Sequence, residues 1–389
     1  MAAMGIGALI IARMAFAVTD GAVVKHLTSA DRLPSLTVLT PEKARPYEKG
    51  FVRDGETFVC DNGTNVTLLR GVVWSLELNQ KEAAPVIASA WGKAEGGEGT
   101  SCGEFFLYLD LTFTDGTYLW GQKASFATDP GIGWHRREVI VTPDKPIRRI
   151  SYYLLFRNRA GRAIFKDPRF GTLAADHLLR FDGVTVKQVS PPKAGFLLRD
   201  VKQNSDFVDI GNGALGVKLI NQTRRGAGVT FYEVTLEDQT GKDRALTLVY
   251  TLPVGKQDLT WFHHPRRSIS LVGAKNEVMN TTRHEVGANG LLSRYPFGAV
   301  AAAGRGHAVG IDPATPLYYR VGCQPLTREL FLACDIGLAP EKPTAAFRFC
   351  VFDFEAADGF RGALSRYYEI YPDAFVTRIK EQGVWMPFA

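Results

Sequence analysis

At 389 residues the chain has room for two or three domains of the usual ~100–200 residues, each with a real hydrophobic core. Hydrophobic residues make up 46% and charged residues 22%, and the 39 glycines and 20 prolines follow no period. That composition excludes a disordered, collagen-like or coiled-coil chain. The net charge of +6 is dispersed among both signs with no long like-charge run, so nothing reads as a nucleic-acid-binding arm, and the excess suits a polyanionic partner only weakly. The five cysteines contain no C-x-x-C pair and no metal-finger spacing, and their odd number leaves at least one thiol free.

Residues 1–17, MAAMGIGALIIARMAFA, hold a short apolar core followed by Ala15-Phe16-Ala17, the small-residue pattern of a secretory cleavage site. They predict a signal peptide and a secreted or periplasmic protein. The absence of Lys and Arg ahead of the apolar core, and Arg13 late within it, also suit a mis-assigned start or a buried helix. Residues 18–49 are polar and contain proline without clear periodicity, which predicts a linker. Beyond them no apolar stretch is long and charge-free enough to span a membrane.

From residue 50 the dominant signal is alternation with a period of two. In Phe105 to Thr114 the odd positions are Phe or Leu and the later even positions are polar, as in a strand with one buried face. Asp115-Gly116 then predicts a primed turn into a second strand at Thr117–Trp120. Further strands are expected at 66–79, 137–142, 150–157 and 163–170, so residues 50–175 read as an antiparallel sandwich. Residues 176–371 repeat the style, with strands expected at 229–237, 246–252, 298–303, 308–311, 317–321, 330–333 and 346–354. Phe360, Ala363, Leu364, Tyr367 and Ile370 then change to helical spacing, closing before Pro372. Residues 372–389 end in the apolar run Gly383–Ala389, which reads as a linker toward a further domain.

Gly211-Asn212-Gly213-Ala214-Leu215-Gly216 matches G-x-G-x-x-G, but Val217–Asn221 looks like a returning strand rather than the helix a dinucleotide site needs, so a glycine-rich hairpin is expected. His263 and His264 are adjacent and would point to opposite faces of an extended segment, which disfavours chelation of one ion. With Trp261, Phe262, Arg266 and Arg267 they could rim a cleft or simply pack. Trp91, Trp120 and Trp134 stand beside glycine or polar neighbours, where flat aromatic faces hold sugars while amides and guanidinium groups fix the hydroxyls. Each Trp taken singly is as well explained as a core residue.

Ala88-Ser89-Ala90-Trp91-Gly92-Lys93, Tyr108-Leu109-Asp110-Leu111, Thr114-Asp115-Gly116-Thr117-Tyr118-Leu119-Trp120-Gly121-Gln122 and Gly161-Arg162-Ala163-Ile164-Phe165-Lys166-Asp167 together resemble a jelly-roll, carbohydrate-binding-module-like domain of secreted bacterial enzymes. Such a domain implies a polysaccharide or glycan partner, with Trp91, Tyr118, Trp120, Gln122 and Trp134 as candidate sugar-binding residues. Its closing strand often carries an Asp pair that helps hold a structural calcium. Lys166-Asp167 stands there instead, leaving Asp167 as the one candidate calcium ligand. Ser293-Arg294-Tyr295-Pro296-Phe297-Gly298, Ala308-Val309-Gly310-Ile311-Asp312 and Phe360-Arg361-Gly362-Ala363-Leu364 resemble the β-supersandwich that precedes the catalytic barrel in a glycoside-hydrolase-like bacterial family. The two resemblances imply an all-β chain of two sandwiches, a jelly roll and then a supersandwich with a C-terminal helix. It would form the non-catalytic front of a polysaccharide-processing enzyme, with no catalytic residue of its own. A stand-alone enzyme with a cleft near His263–Arg267 and a surface adhesion protein are the alternatives.

Overall fold

The computed structural model describes residues 21–29, 36–96, 99–174, 178–255, 257–281, 290–292, 295–302, 304–315 and 317–376. The signal-peptide-like residues 1–17, Ser293, Arg294 and the apolar run Gly383–Ala389 lie outside the described residues. Among the described residues the chain is all-β, two sandwiches of antiparallel strands apart from the parallel pair Val278–Thr281 and Gly290–Leu292, with one closing α-helix, Gly359–Ile370. No helix among the described residues is long and apolar enough to cross a membrane.

In the first sandwich one sheet runs His135–Val141, Val86–Glu95, Gly161–Thr172, Thr57–Gly63, Val52–Asp54, with Thr37–Val38 paired to the third of these. The other runs Arg45–Glu48, Leu69–Glu77, Ile147–Arg159, Gly99–Phe113, Tyr118–Ser125. From Thr57 to Thr172 the chain changes sheet at every connection except the hairpin from Gly99–Phe113 to Tyr118–Ser125, which is the jelly-roll manner of covering two faces. The expected alternation is what fills the core: Leu107, Leu109, Leu111 and Phe113 pack against Val86, Ala88, Ala90 and Trp74. Trp74 and Tyr152 meet edge to face at 5.6 Å. Their polar tips are satisfied, Trp74 Nε1 donating to Thr40 O and Tyr152 Oη to Ser89 O.

The hairpin turn differs from its expected type. Only Gly116 has positive φ, and its N–H donates to Phe113 O, so the connection is not a primed pair. Asp115 decides this, because its carboxylate accepts from Thr117 N at 2.9 Å, Thr117 Oγ1 at 2.6 Å and Lys145 Nζ at 2.7 Å, holding a wider loop.

The second sandwich is larger. Its eight-stranded sheet runs Gly213–Ala214, Val217–Gly226, Val229–Asp238, Thr344–Glu355, Arg305–Ile311, Phe297–Ala302, Thr260–His264, Arg267–Ser270. Gly213–Ala214 pairs directly with Val217–Lys218, so the glycine-rich motif is a hairpin. The closing helix lays Phe360, Ala363 and Tyr367 on this sheet's outer face against Phe297 and Phe352, as its spacing predicts. The ten-stranded sheet runs Leu178–Phe181, Val184–Gln188, Val23–Leu27, Phe207–Asp209, Gly195–Asp200, Arg244–Pro253, Glu329–Leu338, Tyr319–Gln324, Val278–Thr281, Gly290–Leu292. Its Leu198, Leu248 and Leu332 meet Val234, Val309 and Phe349 of the other sheet.

This ten-stranded sheet does not lie flat. Phe181 and Phe331 belong to strands six steps apart, roughly 29 Å at ~4.8 Å per step, yet their ring centroids are 4.9 Å apart. The sheet therefore rolls over, and its first strands cover the outer face of its middle ones around Leu197, Val249, Phe207 and Ala333. Inside the roll Lys25 Nζ meets Glu329 Oε2 at 3.0 Å, the two side chains 0% and 1% exposed, with the ammonium 4.4 Å from the Phe181 ring.

The described parts of residues 18–49 thus differ from the linker expected there. Val23–Leu27 is an interior strand of the ten-stranded sheet, while Thr37–Val38 and Arg45–Glu48 belong to the first sandwich. Val23–Leu27 escapes the period-two pattern because Val24 and Lys25, on opposite faces, are both buried and one of these positions is a lysine. Cys60, Cys323, Cys334 and Cys350 are free and buried, and burial pushes the Cys60, Cys323 and Cys350 thiols up to about 12.

Glu329→Ala should destabilise the second sandwich by about 3–5 kcal/mol, because it leaves the Lys25 ammonium buried without its counter-charge. Lys25→Met with Glu329→Leu should recover most of that loss, as apolar pairs of similar volume replace buried ion pairs well. Denaturant midpoints of the three proteins check this, and a double variant as unstable as the single one would refute it.

Candidate functional site

The five candidate sugar-binding residues fall in two places. Trp91 lies in mid-strand rather than beside a loop. Val86, Ala88, Ala90 and Ala94 of its strand face the core, so Trp91 is on the outer face, with Lys166 and Arg136 as its cross-strand partners. Trp134, in the loop before His135–Val141, joins it there: Lys166 Nζ stands 4.2 Å from the Trp134 ring centroid and 6.0 Å from that of Trp91, and Lys93 Nζ 5.4 Å from Trp134. These aromatic faces are thus already taken by the protein's own ammonium groups. None of Trp91, Trp120 and Trp134 is in a core; the cores are filled by Trp74 and Trp261, 2% and 1% exposed.

Asp167 lies at an irregularity in the register of Gly161–Thr172, with positive φ, and Arg169 Nε donates to both its carboxylate oxygens at 2.8 and 2.9 Å. A calcium ion needs several oxygen ligands, and this carboxylate is engaged by a guanidinium instead. Among the described residues no group of three or more His, Cys, Asp or Glu gathers as a metal would need.

Tyr118, Trp120 and Gln122 share the edge strand Tyr118–Ser125. Tyr118 and Trp120 are 60% and 67% exposed, with ring centroids 5.4 Å apart and planes tilted 41°. Asp110 Oδ1 accepts from Gly121 N, which fixes the strand where Gly121 takes positive φ, and Gln122 Nε2 donates to Trp120 O. Two large aromatic faces open to water on one edge are a feature that globular surfaces seldom carry without use.

The edge strand borders a crevice between the two sandwiches. Two adjoining cavities of about 370 and 260 Å³ share Gln122 and Arg180. Tyr118, Lys145 and Asn276 line the larger; Lys123, Glu138, Thr185, Arg199 and Asn204 line the smaller. The sandwiches touch beside it through Ile87 and Ile140 against Leu178, through Thr142 and Thr185 hydroxyls at 3.4 Å, and through Asn276 bonded to Asp144.

The far wall is a hairpin made rigid by buried charge. Phe181 pairs with Val184, so Asp182-Gly183 is a two-residue turn, and both residues have positive φ as the primed type demands. Arg320 clamps Asp182 with two hydrogen bonds of 2.6 and 2.8 Å and Asp335 with two more of 2.6 and 2.9 Å. Burial opposes the charge on Arg320, but the two carboxylates outweigh it and hold its pKa up. Gly183 N donates to Glu277 Oε1 at 2.8 Å, while the other Glu277 oxygen is buried without a partner. Burial, reinforced by Asp182 and opposed by Arg180, pushes the Glu277 carboxyl up to about 7.

Sequence reasoning singled out Tyr118, Trp120 and Gln122 but missed Arg180 and Arg199. A signal for Arg180 was present, since Asp182-Gly183 between the strand-like segments Leu178–Phe181 and Val184–Gln188 is a hairpin mark. Nothing in the sequence shows that this hairpin faces the first sandwich. The histidine pair is elsewhere: His263 is 6% exposed and bonded to Asn280, and burial depresses its pKa, while His264 Nδ1 accepts from Arg266 N.

No family model matches the chain, and no curated protein matches it. Among solved structures, the N-terminal CBM22-1-CBM22-2 tandem domain of Paenibacillus barcinonensis Xyn10C matches over 86% of this chain and 91% of that one, with 9% identity and a TM-score of 0.24. The CBM22-1 xylan-binding domain of the same protein matches over 41% and 99%, with 10% identity and a TM-score of 0.25. A Paenibacillus sp. cycloisomaltooligosaccharide glucanotransferase complexed with cycloisomaltoheptaose matches over 79% and 45%, with 10% identity and a TM-score of 0.17. Likeness at these values says nothing of a ligand, and the chemistry has to come from the residues.

Glu277 gives the hairpin a signed pH dependence. Its folded pKa is raised from 4.5 to about 7, so the stability it permits is complete below 4.5 and lost as pH rises through about 7. Glu277→Gln should flatten this component. Denaturant melts of both proteins between pH 4.5 and 8 should show a difference that grows with pH, and parallel curves would refute the assignment.

Proposed function

We propose that the chain binds a polysaccharide in the inter-sandwich crevice, as the non-catalytic N-terminal part of an exported glycoside-hydrolase-like protein. The observation that carries this is the exposed Tyr118–Trp120 pair, of which Tyr118 lines the larger cavity of the crevice and Trp120 stands beside it. Pyranose C–H groups stack on flat aromatic faces, and two such faces side by side suit successive units of a chain. Amide and guanidinium donors next to that platform, Gln122 and Arg180, are placed to take the hydroxyls. Trp91 and Trp134 form the poorer platform because Lys166 and Lys93 already lie against their rings. Export through residues 1–17 and polysaccharide-directed work at the cell exterior belong to the same reading. His263, shut into the second sandwich and held by Asn280, offers no comparable opening for the enzyme alternative.

Trp120→Ala should weaken glycan binding by about ten- to thirty-fold, the equivalent of ~1–2 kcal/mol of lost stacking and burial. The melting midpoint should stay near that of the wild type, because the ring is two-thirds exposed. Trp74→Ala supplies the contrast, with a loss of about 3–5 kcal/mol in stability. A glycan array followed by calorimetry and melting on each variant checks this. A wild type that binds no glycan, or a Trp120→Ala protein with unchanged affinity, overturns the proposal.

A further inference from the structure

We infer that the glycan held in this crevice is acidic, a polymer carrying uronate carboxylates or sulfate esters. The inference rests on the carbohydrate reading of Tyr118 and Trp120 and adds a class of ligand to it. The smaller cavity is lined by Lys123 from the first sandwich and by Arg180 and Arg199 from the second, against Glu138 as its one carboxylate. Among the described residues none of these three cations has a carboxylate oxygen within 4 Å.

Their hydrogen bonds go to neutral acceptors. Arg180 Nη2 donates to Gly183 O at 3.2 Å and Arg199 Nη2 to Asn204 Oδ1 at 3.1 Å, and the buried Nε of each guanidinium is unbonded. Lys123 is exposed, its ammonium 4.8 Å from the Phe106 ring. Burial opposes the charge on both arginines, and the field of more distant carboxylates, Glu277 for Arg180 and Asp182, Asp335 and Asp200 for Arg199, only partly offsets it. A cation withdrawn from water without a close counter-charge gains more than a solvated one when an anion arrives.

The planar fork of a guanidinium also fits a carboxylate or sulfate by two parallel hydrogen bonds, which a neutral hydroxyl cannot supply. A free inorganic anion would satisfy the arginines but not the aromatic rim. Gln122 and Arg180 line both cavities, so a sugar unit on Tyr118 and an acidic group beside Arg199 belong to one continuous ligand path.

The experiment compares matched polymers: polygalacturonate, alginate and chondroitin sulfate, each against its carboxyl-reduced or desulfated counterpart, with inorganic phosphate as a separate arm. Calorimetry on the wild type should show at least one acidic polymer bound about tenfold or more tighter than its neutral counterpart, with the preference shrinking in high salt as charges are screened. Lys123→Glu and Arg199→Gln should each cut that ratio by about tenfold, with circular dichroism confirming the fold. Lys123, being exposed, keeps the test valid should Arg199→Gln unfold. Acidic and neutral polymers bound alike, or both variants keeping the full ratio, would overturn the acidic inference while leaving the platform standing. Failure of every polymer, or saturation by phosphate alone with no polymer bound, would remove both.

Discussion

The roll of the ten-stranded sheet is the constraint on which the rest depends. A sheet of that width cannot leave both faces bare, and here the second face is covered by the sheet's own first strands, Leu178–Phe181, Val184–Gln188 and Val23–Leu27. Aromatic contact between Phe181 and Phe331 closes the roll, and two charged clamps fix its register: Lys25 on Glu329, and Arg320 on Asp182 and Asp335. Charges buried this deeply add little net stability, yet they penalise every pairing that leaves one unmatched. Because the hairpin at Asp182-Gly183 is held so firmly, it can serve as a wall against which the first sandwich leaves a crevice of defined shape.

The first sandwich divides its aromatic residues by use. Trp74, Tyr152 and Phe58 interlock in the core with edge-to-face contacts and satisfied polar tips. Trp91 and Trp134 sit on the outer face of one sheet beneath lysine ammonium groups, a cation–π arrangement complete in itself. Tyr118 and Trp120, on the edge strand, have no cation over their rings among the described residues and keep most of their surface in water. The same residue type thus does three jobs, and the covering of its face separates them.

Much of the fold was legible because alternation with a period of two is a local signal. Phe105 to Phe113, Val229–Asp238, Arg244–Pro253 and Thr344–Glu355 all carry it and all are strands, and the helical spacing from Phe360 to Ile370 is equally plain. Three things were hidden for physical reasons. Val23–Leu27 places Lys25 in a buried position, and only the remote Glu329 makes that tolerable, so its pattern reads as polar chain. The candidate site was half legible: Tyr118, Trp120 and Gln122 announce themselves by type and neighbourhood, whereas Arg180 and Arg199 acquire meaning only when two separately folded sandwiches meet. Side-chain direction was also out of reach, as Trp91 shows, since a mid-strand Trp is core or surface according to which face its neighbours claim.

The strand Val23–Leu27 has a consequence for the order of assembly. Its sheet partners are Val184–Gln188 and Phe207–Asp209, and Lys25 finds its counter-charge 304 residues further along the chain. During synthesis the first sandwich, complete by Thr172, can close while this strand waits unpaired at the other end of the nascent chain. Contacts of such long sequence separation are slow to form, because the loop entropy is lost before the contact returns anything. The second sandwich is therefore the later body to form, and its earliest-made strand must wait for Glu329 before its buried charge is matched.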